Sequence, residues 1–421
     1  MNLQLFTDST AIGKKRSAAK KGQRTSSFMR KIDLNNFQVA TNETARDINS
    51  RIMLNLVRKH QPISRADLMR HSGLQRSTVS VITEQLIAQR WLCEGEVGRS
   101  TRGRRPTYLH LNENRAGIFG INIQPLTTDI ALANLGGQFL ARETIPTPRS
   151  SDAFISLLNS RIRSWMVQYP MMAYDGIGVS VPGRVDLPSK KFIFAPNLGW
   201  HATDLKGQLE NTTGLSVSME NAANACALSE FWFGKHPEGV HNLVVVTVSE
   251  GIGVGIILNG QLVRGASGLA GEFGHVPIDE EGPQCSCGNH GCWEVFASNS
   301  AALRYYNESA NGKPVKTFGE ILTLARQGNP LAYKTMERMA EYLGKGIAML
   351  VTGLAPELIV IVGEVTQFWD KIDSTVVNVV RQRSSTHPVV KIMASDSAAQ
   401  PRLRGIIALV LQKHFGAPLI A

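Results

Sequence analysis

The feature that most constrains the fold is a unit of strands and tight turns that occurs twice. Residues 116–145, "AGIFGINIQPLTTDIALANLGGQFLARETI", contain three strand-like runs joined by a turn and a Gly-Gly hairpin. Residues 241–265, "HNLVVVTVSEGIGVGIILNGQLVRG", repeat this order with Asn259 and Gly260 at the hairpin. Helical stretches lie between and after the two units. The repetition predicts an α/β protein with two similar lobes, and 421 residues exceed what one core usually supports.

Positive charge is concentrated in the first quarter of the chain. Residues 1–110 contain 20 of the 45 Lys and Arg residues but only 8 of the 34 Asp and Glu residues. This asymmetry favours a nucleic-acid-binding part joined to a neutral part with another role. Residues 1–40 set Lys and Arg among Ser, Thr and Gly, without periodic apolar positions. We predict a basic, disordered extension there, either a solvated tail or an arm that contacts phosphates.

Residues 41–111 predict a winged helix-turn-helix domain. Three helical patterns follow Thr41, Gly73 marks a tight turn after the second, and an Arg-rich hairpin follows the third. The third helix begins with short polar side chains and one arginine, which are residue types that meet base edges in the major groove. The residues assigned to DNA binding are Gln75, Arg76, Ser77, Thr78, Ser80, Arg102, Arg104 and Arg105. Such domains also serve as protein-interaction modules, but the basic surplus favours DNA.

Helical spacing predicts the buried faces of these helices. In the first helix the inward positions are Ile48, Ile52, Leu56 and Val57. In the third helix they are Val79, Ile82, Leu86 and Ile87. The polar start of the third helix would then remain available to DNA.

Three of the five cysteines lie within residues 283–294, "PQCSCGNHGCWE". The N-terminus lacks a signal-peptide core, and no window has the roughly 18 uncharged apolar residues of a membrane span. We therefore expect a cytoplasmic chain, in which clustered cysteines favour a metal site or catalysis over disulfides. Cys285, Cys287 and Cys292 need a fourth ligand for a closed tetrahedral zinc site, and the candidates are His275 and His290. Three reduced, unliganded thiols are the alternative.

Several motifs together resemble those of the ROK family of sugar kinases and transcriptional repressors. They occur in the order "GIGVSVPGRVD", "APNLGW", "NAANACALSE", "GEFGHVPID", "CSCGNHGCWE" and "PELIVIVGE". The resemblance extends from Thr41 to the C-terminus and is most specific in the His-Cys motif. It implies that residues 112–421 form a two-lobed, actin-like (ribonuclease H-like) ATPase-fold domain, with a sugar in the cleft between the lobes.

The resemblance also implies roles for individual residues. It makes His275 the fourth ligand of a structural zinc held by the loop 275–292. It assigns sugar contacts to Asn197, Asn221, Glu272, His275 and Glu294. Through its two ring nitrogens, His275 could link the zinc to a sugar hydroxyl.

The family pattern argues against a kinase reaction in this chain. Ala222 occupies the position of the family's aspartate general base, and a methyl group cannot accept a proton. The phosphate and adenosine loops depart from the family pattern at Asn122, Gln124, Pro125, Leu126, Glu250 and Glu364. A glycine-rich loop would present backbone N–H groups to phosphates, whereas proline removes a donor and glutamate adds a like charge. The sequence therefore predicts a protein that does not turn over ATP.

The sequence as a whole predicts a transcriptional regulator, most simply a repressor, of carbohydrate metabolism. Two winged helices of a homodimer, or of a dimer of dimers, would meet half-sites of a DNA operator. A sugar or sugar derivative would favour one arrangement of the lobes and change the spacing of the winged helices. The alternatives are an active sugar kinase with an appended DNA-binding module, a regulator governed by protein partners, and a zinc-stabilised scaffold.

Overall fold

The computed structural model describes residues 41–98, 105–170, 172–185, 192–194, 198, 200, 204–237, 239–310, 314–384, 390–396 and 399–416. The basic extension 1–40 lies outside them, as do Arg102, Arg104 and Asn197 among the predicted site residues.

An N-terminal unit of helices and a small antiparallel sheet precedes the α/β part. Its helices within the described ranges are α1 (Asn42–His60), α2 (Arg65–Ser72) and α3 (Arg76–Ala88). Its strands are β1 (Ile63–Ser64), β2 (Leu92–Val97) and β3 (Thr107–Leu111), in the order β1-β3-β2. Thr41 and Ser64 form capping boxes at the starts of α1 and α2. Gly73, at φ 69°, ends α2 in the left-handed conformation that glycine adopts without strain.

The buried faces of the helices agree with the prediction in α3 but only partly in α1. In α3 the buried apolar side chains are Val79, Ile82 and Leu86. In α1, Met53 and Val57 are fully buried, whereas Ile52 is 41% exposed, so the inward placement of Ile52 is wrong. Met53 and Val57 are four residues apart and share a face, and Ile52 is rotated about 100° from Met53. Two adjacent apolar stripes on α1 made the inward face ambiguous in the sequence.

The first lobe is built on a five-stranded sheet in the order β10-β7-β4-β5-β6. Its strands are β4 (Ala116–Ile123), β5 (Thr127–Asn134), β6 (Phe139–Pro146), β7 (Ala173–Val181) and β10 (Val217–Asn221). A separate short hairpin is formed by β8 (Arg184–Val185) and β9 (Phe192–Phe194). The helices of this lobe are α4 (Ser151–Gln168) and α5 (Leu205–Thr213). The residues of β4 are all buried, as expected for a central strand covered on both faces.

The second lobe has a sheet of the same plan, in the order β13-β12-β11-β14-β15. Its strands are β11 (Leu243–Val248), β12 (Ile252–Leu258), β13 (Gln261–Leu262), β14 (Leu358–Val362) and β15 (Lys391–Ala394). In both lobes an antiparallel three-stranded unit is extended by parallel strands on the side of its first strand. The repeated strand-turn unit of the sequence therefore corresponds to two sheets of equal topology.

The remaining helices surround the second sheet or lie between the lobes. They are α6 (Ala222–Phe233), α7 (Glu294–Ala297), α8 (Asn299–Ser309), α9 (Phe318–Arg326), α10 (Pro330–Leu354), α11 (Trp369–Arg383) and α12 (Pro401–Phe415). Short 3₁₀ turns span Glu113–Arg115, Glu272–His275 and Glu364–Phe368. Within the described ranges no helix combines the length and hydropathy needed to cross a bilayer.

Helices α6 and α12 cross closely between the two sheets. A Cβ atom added at Gly405 of α12 would lie 1.7 Å from the carbonyl oxygen of Ala225 in α6, so only glycine permits this approach. On the first sheet, Gly178 is packed against the backbone carbonyl of Ile406. On the second sheet, Gly255 of β12 is packed against the carbonyl of Ala223. The two helices thus form one contact between the lobes.

Candidate functional site

A histidine and the three clustered cysteines come together at the edge of the second lobe. One potential ligand atom from each of His275, Cys285, Cys287 and Cys292 lies within 4.8 Å of the other three. Cys285 Sγ is 3.5 Å from His275 Nδ1, and Cys287 Sγ is 3.7 Å from Cys292 Sγ. His290, the other candidate ligand, is exposed, and its Nδ1 faces the carbonyl of Gly282 at 3.4 Å. The structure therefore groups the thiols with His275.

Tight backbone turns hold the cysteines in this arrangement. The Cys285 N–H donates to the carbonyl of Asn289 at 2.7 Å, which closes the turn that contains Cys287. Gly291 has φ 64°, and a Cβ there would lie 1.5 Å from the carbonyl oxygen of Asp279. The glycines between the cysteines are therefore required by the path of the loop.

Trp293 anchors this loop to the core of the second lobe. Its ring is fully buried against Gly346 of α10, and its Nε1–H donates to the carbonyl of Tyr342 at 3.0 Å. Because Trp293 directly follows Cys292 and precedes Glu294, the anchor fixes the position of both neighbours. The anchor therefore restrains the loop at Cys292 and Glu294.

The geometry fits a tetrahedral zinc ion and does not fit a disulfide. Zinc bonds of roughly 2.0 to 2.3 Å place neighbouring ligand atoms about 3.3 to 3.8 Å apart, as for the Cys287–Cys292 and Cys285–His275 pairs. A disulfide needs sulfur atoms about 2.05 Å apart, and all described cysteines are free thiols. Four protein ligands would complete the shell, so a zinc ion here would be structural.

Local hydrogen bonding and burial shift the pKa values of the thiols in different directions. The backbone N–H of Asn289 lowers the pKa of the exposed Cys287 thiol. Burial raises the pKa values of Cys285 and Cys292. A bound cation would favour all three thiolates together. Cys226, by contrast, is a core thiol in α6 whose burial raises its pKa to about 12.

Two predicted sugar-binding acids flank His275. Glu294 Oε1 is 3.5 Å from His275 Nδ1, on the side of the thiols. Glu272 Oε2 is 3.7 Å from His275 Nε2, on the other side of the ring. The Glu294 side chain is largely buried and Glu272 is exposed. The two ring nitrogens of His275 thus face different groups: Nδ1 faces Cys285 and Glu294, and Nε2 faces Glu272.

Asn221 lies at the start of α6, where its side chain accepts a hydrogen bond from the Asn224 N–H at 2.8 Å. Ala222 is the first residue of the helix. Sequence reasoning missed the buried Glu220, which accepts from Asn224 Nδ2 at 2.9 Å and from Arg264 Nε at 2.9 Å. The only feature of the sequence that could have indicated Glu220 was its position directly before Asn221.

Strand β12 supports both parts of the candidate sugar site. Gly253 of β12 contacts Ala223 near the start of α6. On either side of Gly253, the carbonyls of Ile252 and Val254 are packed against Gly274 and Gly271. Gly274 lies within the turn that carries Glu272 and His275, and Gly271 directly precedes it. A shift of β12 would therefore move α6 and this turn together.

In the first lobe, the loop expected to hold phosphates is closed by its own side chains. Asn122 Nδ2 and Gln124 Nε2 each donate to Asp129 Oδ2 at 3.2 Å. The Gln124 N–H donates to the carbonyl of Thr127 at 3.0 Å, across a turn that contains Pro125. Pro125 has no backbone N–H, and the N–H of Gln124 is already bonded to Thr127, so this turn offers few backbone donors to a phosphate.

The loops of the second lobe that would face a nucleotide carry acids. Glu250, between β11 and β12, is exposed, and its carbonyl accepts from Ser300 Oγ at 2.8 Å. Glu364 is also exposed, and its Oε2 accepts from Asn299 Nδ2 at 3.3 Å. Carboxylates at both loops disfavour the approach of a polyphosphate.

The predicted DNA-binding residues of α3 lie on its solvent-facing side. Gln75, Arg76 and Ser77 are exposed, and no side chain caps the helix N-terminus. Thr78 and Ser80 are half-buried. Of the hairpin arginines, the structure describes only Arg105, which is exposed.

Arg65 at the start of α2 braces α3 against the hairpin. Its Nε donates to Thr83 Oγ1 at 3.2 Å, and its Nη1 donates to Glu94 Oε1 at 2.9 Å. Thr83 is fully buried in α3, and Glu94 lies on β2. One side chain therefore fixes the orientation of the helix relative to the hairpin.

The end of α6 and the end of α12 both contact α1. The Arg58 guanidinium lies over the Trp232 ring at 4.7 Å and over the Phe415 ring at 5.9 Å. Arg58 Nη1 donates to the Trp232 carbonyl at 3.4 Å, and Asn55 Nδ2 donates to the Phe415 carbonyl at 2.7 Å. Burial lowers the pKa of Arg58. Helix α6 thus runs from Asn221 in the candidate sugar site to the first helix of the N-terminal unit.

Comparison with known proteins decides the family. The family model described as "ROK family" matches residues 118–413. A xylose repressor from Bacillus subtilis (strain 168) is 33% identical over 331 residues, which cover 77% of this chain and 84% of the relative. The chain belongs to the ROK family.

Solved structures and other relatives extend the comparison. A ROK family transcriptional regulator, described as a homolog of the Escherichia coli MLC protein, superimposes with a TM-score of 0.76 at 26% identity. The superposition covers 88% of the present chain and 98% of the regulator's chain. A glucokinase from Streptomyces coelicolor is 31% identical over 268 residues, which cover 60% of this chain and 83% of the relative. The prediction of an actin-like α/β fold for the ROK part is confirmed.

Proposed function

We propose that this ROK protein is a DNA-binding transcriptional regulator of carbohydrate metabolism, acting as a repressor, that senses a sugar without phosphorylating it. The observation that carries the proposal is the path of α6. This helix is capped by Asn221 and begins at Ala222 in the candidate sugar site, and Trp232 in its last turn contacts Arg58 of α1. Similarity to a xylose repressor and to a regulator structure supports it.

DNA binding is assigned to a winged helix-turn-helix domain at residues 41–111. Helix α3 would enter the major groove with exposed Gln75, Arg76 and Ser77 and half-buried Thr78 and Ser80 at its start. Arg102, Arg104 and Arg105 of the hairpin would contact the phosphates or the minor groove. The brace from Arg65 to Thr83 and Glu94 supports this role because it sets the angle between helix and hairpin. A homodimer would present two such domains to two half-sites.

Sugar binding is assigned to the cleft between the lobes in residues 112–421. Asn197, Asn221, Glu272, His275 and Glu294 would contact hydroxyl groups. A structural zinc on His275, Cys285, Cys287 and Cys292 would hold the loop that orders Glu272 and Glu294. The fit of the ligand distances to tetrahedral zinc supports this assignment. A cytoplasmic location accords with the free thiols.

The proposed regulator does not transfer a phosphoryl group, because it lacks an acid at the position of the family's proton acceptor. Ala222 lies where the family pattern has an aspartate, and its methyl group cannot accept the proton of a sugar hydroxyl. The closed turn around Gln124 and Pro125 leaves few N–H groups for phosphates. Binding energy would therefore serve to bias the arrangement of the lobes.

Thermal unfolding of the full chain with a panel of ligands tests the proposal. The panel contains xylose, glucose, N-acetylglucosamine, disaccharides, phosphorylated sugars and ATP. We expect one sugar class to raise the melting temperature and ATP to leave it unchanged. Stabilisation by ATP together with sugar-dependent ADP release would contradict the sensor.

The second candidate function is an active sugar kinase with an appended DNA-binding module. Similarity to the Streptomyces coelicolor glucokinase favours it. It requires ATP-dependent phosphorylation of a hexose well above a control without protein. It also requires another group to replace the acid missing at Ala222.

A further inference from the structure

Helix α3 carries an exposed valine among the polar side chains of its outer face. Val81 is 63% exposed, whereas the neighbouring Val79 and Ile82 are 1% and 6% exposed. The core contacts of α3 are made by Val79, Ile82 and Leu86, so Val81 contributes nothing to them. A β-branched residue is also a weaker helix former than most polar alternatives. Neither core packing nor helix stability therefore explains Val81.

Helical spacing places Val81 in the middle of the proposed DNA-reading face. Ser77, Val81 and Gln85 are four residues apart, and all three are exposed on one stripe of α3. Thr78 lies three residues before Val81 on the same side. If the start of α3 enters the major groove, the Val81 methyl groups are carried into it one turn deeper along the helix.

The chemistry of the groove supplies a matching partner. The C5 methyl group of thymine is the apolar feature that the major groove presents, and aliphatic side chains contact it. The exposed Glu84 follows Val81 by three residues. Its negative charge repels the phosphates of DNA, so this part of α3 is poorly suited to contact with the DNA backbone. This stretch is thus better suited to base edges, where Glu84 could accept from a cytosine amino group.

We propose that Val81 is a specificity-determining residue that recognises a thymine methyl group in each operator half-site. The proposal rests on the proposed DNA-binding function of α3. It names the chemical feature that α3 reads, beyond the polar residues already assigned. Contact between a methyl group and Val81 should be worth about a fourfold change in affinity, given roughly 0.8 kcal/mol for one buried methyl or methylene group.

The test begins with selection of an operator from a randomised duplex library by the wild-type full chain. Each thymine of the selected site is then replaced by deoxyuridine, which removes only the C5 methyl group. We expect one thymine per half-site at which this replacement weakens wild-type binding about fourfold. Val81→Ala, which keeps only the Cβ methyl group, should discriminate less between the thymine and uracil duplexes than the wild type does. Its dependence on salt should match the wild type, because no phosphate contact is lost.

A matched control uses another exposed valine far from the proposed DNA face. Val167 of α4 is 80% exposed, and Val167→Ala should keep the wild-type discrimination between thymine and uracil. The proposal is overturned if no thymine shows an effect, or if Val81→Ala discriminates as strongly as the wild type at the same thymine. Failure to enrich any sequence would instead contradict the proposed function of the whole protein.

Discussion

Ala222 is the residue at which the proposed sensor and the kinase alternative differ most. It is the first residue of α6, so an aspartate there would face the positive end of the helix and would be tolerated. We expect Ala222→Asp to fold, and to show no sugar-dependent ADP release above a control without protein. The physical reason lies in the other lobe, where the turn at Gln124 and Pro125 is closed by hydrogen bonds to Thr127 and Asp129.

The measurement is a coupled ADP assay with glucose and xylose, run on Ala222→Asp and on the wild type. Turnover by the wild type would contradict the sensor directly. Turnover by the variant alone would show that the phosphate loops remain competent and that only the base was lost.

Cys287 allows a test of the metal site that leaves the core intact, because it is an exposed member of the ligand set. We expect Cys287→Ser to lower zinc affinity by more than the roughly 10- to 100-fold loss that follows removal of outer partners of metal ligands. The sugar-induced thermal shift should weaken before DNA binding does, because the loop positions Glu272 and Glu294.

Zinc content per chain, measured by a chromogenic chelator, checks this expectation. Cys93→Ser is the matched control, since Cys93 is also an exposed free thiol but lies on β2 outside the cluster. Equal loss of sugar response and DNA binding, with unfolding of the whole chain, would show that the site serves only stability.

At the scale of residues, the sequence predicts functional residues that lie close together in one motif better than residues that are distant in the sequence and meet only in the folded chain. Cys285, Cys287 and Cys292 were recognisable because they lie within eight positions. The Glu220–Arg264 pair was not, because its members are 44 positions apart and the fold brings β10, which carries Glu220, against the segment after β13, which carries Arg264. Long-range partners of single charged residues leave no periodic trace in a sequence.

At the scale of elements, the Arg65 brace gives a testable account of how α3 is held. Thr83 Oγ1 donates to the Val79 carbonyl at 2.8 Å and accepts from Arg65 Nε at 3.2 Å. We expect Thr83→Val, which has nearly the same shape, to lower the free energy of unfolding by about 1 kcal/mol. It should also weaken DNA binding, because α3 loses its tie to the hairpin.

Urea unfolding and DNA titration measure these two effects. Thr323→Val in α9 is the matched control, because Thr323 Oγ1 makes the same bond within its helix, to the Gly319 carbonyl at 2.9 Å. If both variants lose equal stability and DNA binding is unchanged, the brace has no role in positioning α3.

Elements whose ends carry caps were predicted best. Thr41, Ser64 and Gly73 set the ends of α1 and α2 in the sequence and in the structure. The inward face of α1 was less certain, because α1 packs on α12 as well as on α2 and α3. An inward Ile52 would be expected if α1 had a single buried face. The contacts of α1 with the distant C-terminal helix α12 could not be predicted from the local spacing of apolar residues.

At the scale of the whole molecule, Arg58 is the contact through which sugar and DNA sites would communicate. Its guanidinium is buried between Trp232 and Phe415, and its Nε has no partner among the described residues. Methionine has a similar length and no buried charge, so Arg58→Met should fold at least as stably. We expect its affinities for sugar and for DNA to stay within about threefold of wild type. The factor by which sugar changes DNA affinity should fall toward one.

The coupling is measured as the ratio of DNA dissociation constants with and without sugar. Arg338→Met is the matched control, because Arg338 lies over the Tyr305 ring at 3.9 Å in the second lobe, away from α1. An Arg58→Met protein with wild-type coupling would show that the Arg58 guanidinium does not carry the signal from α6 to α1.

The measurement that tests the central claim most directly is DNA affinity of the full chain in the presence and absence of its stabilising sugar. Fluorescence anisotropy on the selected operator, without ATP, gives both dissociation constants. The sensor predicts that the sugar changes DNA affinity by about 5- to 150-fold, the range of typical coupling free energies. Sugar binding that leaves DNA affinity unchanged, with ATP-dependent phosphorylation of that sugar, would contradict it.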